Sequence, residues 1–344
     1  MDKFIYFPLL KTRDAELKAI SNLDDRTFSH TLPIYELTKS RKTTVAPDGD
    51  IHRKMSSIRD VQKDRPFILD LTSNEKYINP QIEQLLDEND GFREWRYFIG
   101  LYSDLNIIPM IHIYDEDDLS DTEKFVNLVS QEKKYLALRV PHDLEDYKKF
   151  INPIVNQLSL GCKLIIIFDA EQVSSENMYD VSDSLIYACK NIEEYSHKID
   201  TIVIVSTSFP LSPASIGNDD HGDVPIVEER IFHSVSREYP VKYGDYASIN
   251  IEQVEIRGGT FVPRIDIALD DKFFYKRYRR DKGSYSLCAK KVLEDKRYVN
   301  LGSWADSEIN KASNDEPSGI SPSFWISVRM NYYMSTRVML RNKF

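Results

Sequence analysis

The chain has 344 residues, with 45 Lys+Arg against 55 Asp+Glu, 41% hydrophobic residues, 12 Gly and 15 Pro. That composition excludes collagen, coiled coil and wholesale disorder, and at about 150 residues per domain it predicts one large domain or two ordinary ones. Residues 251–344 hold 17 basic and 12 acidic side chains, or +5, so residues 1–250 carry −15 of the net −10; this excludes a uniformly basic nucleic-acid coat but leaves room for a local basic site.

Short β-rich runs recur at Phe4–Leu10, Leu32–Leu37, Phe67–Thr72, Ile107–Tyr114, Tyr135–Val140, Leu164–Asp169 and Ile202–Ser206, with a weaker eighth at Tyr243–Ile249. Continuously apolar runs of this length suit strands buried on both faces of a parallel sheet. Helical periodicity falls between them, at Asp14–Leu23, Phe92–Leu105, Asp121–Gln131, Leu144–Leu158 and Met178–Tyr195. Ser120 with Glu123 three residues on has the pattern of a capping box. Eight such units in about 250 residues predict a TIM-like (β/α)8 barrel over 1–250. A doubly wound open sheet is the alternative; it usually carries a glycine turn after its first strand, where this chain reads KTRDAE.

Two long polar loops, Thr38–Asp50 and Phe209–Pro225, follow strands. Residues 251–344 break the rhythm. They read as a β-rich stretch, a helix near Tyr285–Glu294, a polar break at Asn310–Ser321 and a Trp- and Tyr-bearing end. The expectation is a C-terminal extension that caps or completes the barrel. No apolar run approaches the ~20 residues of a membrane span. The first residues lack a signal-peptide pattern. Cys162, Cys189 and Cys288 lie far apart without metal spacing. A cytoplasmic protein with reduced thiols is expected.

Side chains alternate along a strand, so one parity of each run points into a barrel. Near the C-terminal ends that parity carries Lys11, Glu36, Asp70, His112, Arg139 and Asp169. Asp245 lies in the eighth run, and Ser206 and Ser208 end the seventh. Gathering buried charge at one mouth is costly unless the charges are paired, and catalysis is a frequent reason for it. A structural network in which Lys11 and Arg139 neutralise the acids is the plainer reading.

Three chemistries fit the set. Glu36, Asp70 and Asp169, with His112 as ligand or proton shuttle, would hold Mg²⁺ or Mn²⁺ and activate water. A carboxylate pair would work as acid and base without metal. Lys11 and Arg139 would hold a phosphate or carboxylate while the acids handle protons. His52, His142, His221 and His233 read as solvated. A second candidate is Lys272–Lys282, where six basic residues and four aromatics in eleven positions fit a base-stacking nucleic-acid surface. Arg277 and Arg279 belong to it, and Arg264 precedes it. The alternative is an edge strand protected by outward Lys and Arg.

Tyr6-Phe7-Pro8-Leu9-Leu10-Lys11, Glu16–Ile20 and Pro33-Ile34-Tyr35-Glu36 resemble the Beta protein family of bacterial and phage proteins. The likeness continues in Ser236-Arg237-Glu238, Tyr243–Ala247, Arg264 and Phe274–Arg280, and again in Gly302–Asp306, Trp325, Arg329 and Asn331. Tyr332 and Tyr333 stand where the family's closing phrase carries two histidines. The resemblance implies a barrel-like α/β fold and a setting in phage–host conflict, and no reaction. The reading that results is a hydrolase of a phosphate- or nucleotide-bearing substrate. The alternative is a non-catalytic recognition subunit of an anti-phage system, binding a phage protein or nucleic acid. A glycosidase ranks third, because few aromatics beyond Tyr35 and Tyr114 mark the barrel end.

Overall fold

The apolar runs fold as strands because their alternate residues find two different cores. The computed structural model describes residues 1–115, 117–212, 219–252 and 261–342. Strands β1 (Tyr6–Lys11), β2 (Ile34–Leu37), β3 (Phe67–Leu71), β4 (Ile107–Ile111), β5 (Tyr135–Pro141), β6 (Lys163–Gln172) and β7 (Ile199–Thr207) pair in chain order. β9 (Val241–Asp245) lies between β7 and β1 and closes an eight-stranded parallel barrel. Phe7, Leu9, Ile34, Ile68, Met110, Ala137, Ile165, Ile167, Val203 and Val205 fill its interior. The opposite parity, including Tyr6, Leu10, Tyr35, Leu69, Leu138, Ile166 and Phe168, packs beneath the helices. The two-sided burial inferred from the runs is therefore the observed one, and the fold is a TIM-like barrel.

Helices α1 (Asp14–Ser21), α3 (Ile51–Gln62), α5 (Asn89–Leu101), α6 (Ser120–Val129), α7 (Tyr147–Gln157), α8 (Met178–Asn191) and α9 (Val227–Ser236) connect successive strands, with short helices α2 (Asp25–Ser29) and α4 (Pro80–Leu85) added. The capping box at Ser120 does not form. Leu119 is the N-cap, and the Ser120 amide donates to Asp118 Oδ1 at 2.9 Å, which draws the serine into the first turn.

The Phe209–Pro225 stretch is only partly a loop; its residues 213–218 lie outside those described. Its last residues form β8 (His221–Pro225), which pairs with β11 (Lys272–Arg277); β11 in turn pairs with β10 (Arg264–Ala268) in a separate antiparallel sheet. This sheet shares a second core with α10 (Ser284–Leu293), α11 (Trp304–Ser313) and α12 (Pro322–Arg341). Asn310–Ser313, read as part of a polar break, is the last turn of α11. α12 serves both cores: Trp325, Val328 and Tyr332 face the small sheet, whereas Met330, Met334 and Val338 join the barrel's outer core with Tyr6, Leu10 and Ala19. The final helix thus takes the eighth place in the helical ring.

Candidate functional site

Register brings the inward ionisable residues to one level. Lys11 is paired with Glu36 and Glu36 with Asp70 across β1, β2 and β3. His112 follows β4, Arg139 lies in β5 and Asp169 in β6. All six converge at the C-terminal mouth, as period-2 reasoning expects. Arg139 is the hub: its Nη1 lies 3.3 Å from Glu36 Oε2 and 3.9 Å from Asp169 Oδ2, and its Nε lies 3.3 Å from Asp70 Oδ2.

Each acid has a second tie. Thr72 donates to Glu36 at 2.9 Å, Tyr246 donates to Asp169 Oδ2 at 2.7 Å, and the Leu71 and Glu171 amides donate to Asp70 and Asp169. Lys11 turns away from the acids, donating to the Ile251 carbonyl at 2.8 Å and lying 5.5 Å from the Tyr77 ring centre. Both cations expected to hold an anion are thus engaged by the protein's own acceptors.

Burial pushes the Asp70 carboxyl up to about 6, with Arg139 pulling the other way. Burial, then the Arg139 charge, holds the His112 imidazole down to about 3, so the ring is neutral around pH 7. Burial works against a charged Arg139, but Asp70, Glu36 and Asp169 more than offset it and keep the guanidinium protonated. His112 Nδ1 lies 3.9 Å from Asp70 Oδ1, and its ring stacks against Tyr114. His112 Nε2 and Asp70 Oδ2 are buried without a hydrogen-bond partner.

A Mg²⁺ or Mn²⁺ ion held by Glu36, Asp70 and Asp169 does not fit this arrangement. Among the described residues no three His, Cys, Asp or Glu side chains are placed to hold a metal ion, and the Arg139 guanidinium takes the position between the acids where a cation's charge would be used.

Asp245, Ser206 and Ser208 do not join the mouth. Asp245 faces outward, where Tyr6 donates to it at 2.7 Å, and Ser206 pairs with it in the ladder. Ser208 donates to Glu228 of α9. Gly244 takes the inward place instead, because a Cβ there would lie 2.7 Å from Val205 Cγ2 and 2.8 Å from the Phe7 carbonyl. The same parity points Tyr246 inward. Sequence reasoning missed Tyr246, although its spacing from Gly244 carried the signal.

The basic-aromatic stretch is not a stacking surface. Phe273, Phe274 and Tyr275 are buried in the small sheet's core. Lys272 pairs with Asp223 at 2.7 Å and Lys276 with Asp295 at 2.9 Å. Arg264 Nε donates to Asp266 at 2.6 Å, and its guanidinium lies over Tyr275. Arg277 is half-buried opposite Arg264 in the ladder, and Arg279 is exposed. Tyr332 and Tyr333 are buried: Tyr332 donates to the Val299 carbonyl at 2.6 Å, and the Tyr333 hydroxyl lies 3.1 Å from that of Tyr243 and donates to Glu228 at 3.2 Å.

No helix among the described residues is long and apolar enough to cross a membrane. No solved structure matches the chain. It is 27% identical to "Protein beta" of Enterobacteria phage P4 over 346 residues, covering 98% of this chain and 94% of that protein. The family model described as Beta protein matches residues 6–339, a span that holds the whole barrel and most of its closing helix, and the chain belongs to the Beta protein family.

Proposed function

We propose that the protein is a hydrolase that works by acid–base chemistry at the barrel mouth. The observation that supports this best is the Asp70–His112 pair: a carboxyl raised to about 6 beside a neutral imidazole whose buried Nε2 has no hydrogen-bond partner. A base with a pKa close to the working pH combines the right protonation state with real proton affinity. Asp70, ionised above pH 6, takes a proton from the attacking water and returns it to the leaving group. His112 supplies a neutral hydrogen-bonding ring, and Arg139 holds Glu36 and Asp169 in place. The C-terminal face of a barrel is where such enzymes carry their chemistry.

A screen of chromogenic esters, amides and glycosides tests this reading. Turnover is expected to fall as pH drops through about 6 and to fall about a hundredfold or more in Asp70→Asn. Turnover in Asp70→Asn within about threefold of wild type would overturn it. The phage P4 relative supports a setting in phage–host conflict. Plaque formation should then differ between cells expressing wild type and cells expressing Asp70→Asn, and equal plating would remove that setting.

A further inference from the structure

We propose that the mouth takes a ligand bearing a cationic, N–H-rich group, a guanidinium or an ammonium, and not a phosphate. The inference rests on the mouth being the working site. Charge is the first reason. Glu36, Asp70 and Asp169 surround a single guanidinium, and the nearby Lys11 is committed to the Ile251 carbonyl. A phosphate would add negative charge to acids that already outnumber their counter-ion. A cation lowers that excess.

The second reason is an unmet acceptor demand. Asp70, 2% exposed, has at Oδ2 only the ion pair with Arg139 Nε at 3.3 Å and no hydrogen bond beside it. His112, 9% exposed, leaves Nε2 unpartnered. A neutral imidazole has one nitrogen that only accepts, and with Nδ1 turned toward Asp70 that nitrogen is Nε2. Nε2 calls for a donor, and buried polar atoms without partners are uncommon.

The third reason is aromatic. Tyr114, half exposed, lies parallel to the His112 ring at 5.9 Å with an interplanar angle of 5°. Asp70 and Arg139 are close enough to act on its hydroxyl. A half-exposed ring of this kind can take a planar cation. Lys11 over Tyr77 shows the same contact already made at this mouth, and such contacts strengthen when desolvated.

Calorimetric titration of the full chain at low salt tests the proposal. Agmatine and spermidine serve as cationic probes, inorganic phosphate and AMP as anionic ones. Saturable agmatine binding is expected, weakened by added salt and about tenfold or more by Asp169→Asn or Glu36→Gln; if one variant fails its thermal-unfolding control, the other carries the test. Absence of binding by both cationic probes, tighter binding of phosphate or AMP, or equal agmatine binding by wild type and folded variants would overturn it. Agmatine binding without any Asp70-dependent turnover would sink the hydrolase reading and leave this inference standing. Asp70-dependent turnover of a phosphoester without cation binding would do the reverse.

Discussion

Removal of Arg139 is the sharpest perturbation of the mouth. Its guanidinium lies 3.3, 3.3 and 3.9 Å from Glu36, Asp70 and Asp169. At an effective dielectric of about 20, each such contact is worth about 4–5 kcal/mol gross. Desolvation offsets most of that, and removing one partner of a buried ion pair costs about 3–5 kcal/mol net. The Arg139 side chain is 20% exposed, which places Arg139→Met at the low end, about 3 kcal/mol at about pH 8. In the variant the acids lose their counter-charge, so the folded chain binds protons more tightly than the unfolded one. Destabilisation is then full at high pH and recedes as pH falls and the acids protonate, to about 1 kcal/mol near pH 5. Asp70, already raised to about 6 with Arg139 present, goes first. Urea unfolding followed by tryptophan fluorescence at both pH values reads this directly. A loss below about 1 kcal/mol at the higher pH, or the same loss at both, would refute the hub role.

Glu228 is raised from its ordinary 4.5 to about 7, chiefly by burial. Its ionisation therefore costs the folded state stability as pH climbs through that interval. Glu228→Gln should gain up to about 3 kcal/mol on wild type between the two ends of it, read by urea unfolding across pH; parallel pH profiles would contradict this. Gly244→Ala puts a methyl 2.8 Å from the Phe7 backbone carbonyl and should lower stability by about 2–3 kcal/mol. Gly161→Ala, with nothing within 4 Å, is the neutral control in the same thermal melts. Tyr333→Phe removes the hydroxyl shared with Tyr243 and Glu228 and should cost about 1–2 kcal/mol; an unchanged melting midpoint would show that these bonds contribute nothing net.

Barrel strands were legible because each buries both faces and so reads as an unbroken apolar run. β8 was not, because HGDVP buries only Val224 and is held by backbone pairing to β11, which leaves no pattern in the side chains. α9 did leave one, Val227, Ile231 and Val235 at helical spacing, hidden by the polar stretch that precedes it. At the mouth, period 2 placed Lys11, Glu36, Asp70, His112, Arg139 and Asp169 correctly because large apolar residues mark the inward parity of their strands. In β9 a glycine holds the inward place, so nothing bulky marks the face and the side Asp245 takes could not be read. What Arg139 and Lys11 do could not be read from spacing at all. It depends on which acceptors lie within about 4 Å, and in Lys11's case on a backbone carbonyl 240 positions away.

The ring's last helix sets a condition on synthesis. The Asn331 side chain donates to the Ala19 carbonyl across 312 positions, and Met330, Met334 and Val338 cover the flank of β1 and α1. A ribosome makes the eight barrel strands first, then the residues of the small sheet's β10 and β11, and only then the helix that seals the first strand. N-terminal domains of many proteins fold while the rest is still being translated. This barrel is denied that order, since the segment that covers its first unit is made after all eight strands. Nascent chains stalled before residue 322 would present Tyr6, Leu10 and Ala19 to chaperones and proteases, so a stop codon between β9 and α12 would leave the helical ring open beside β1.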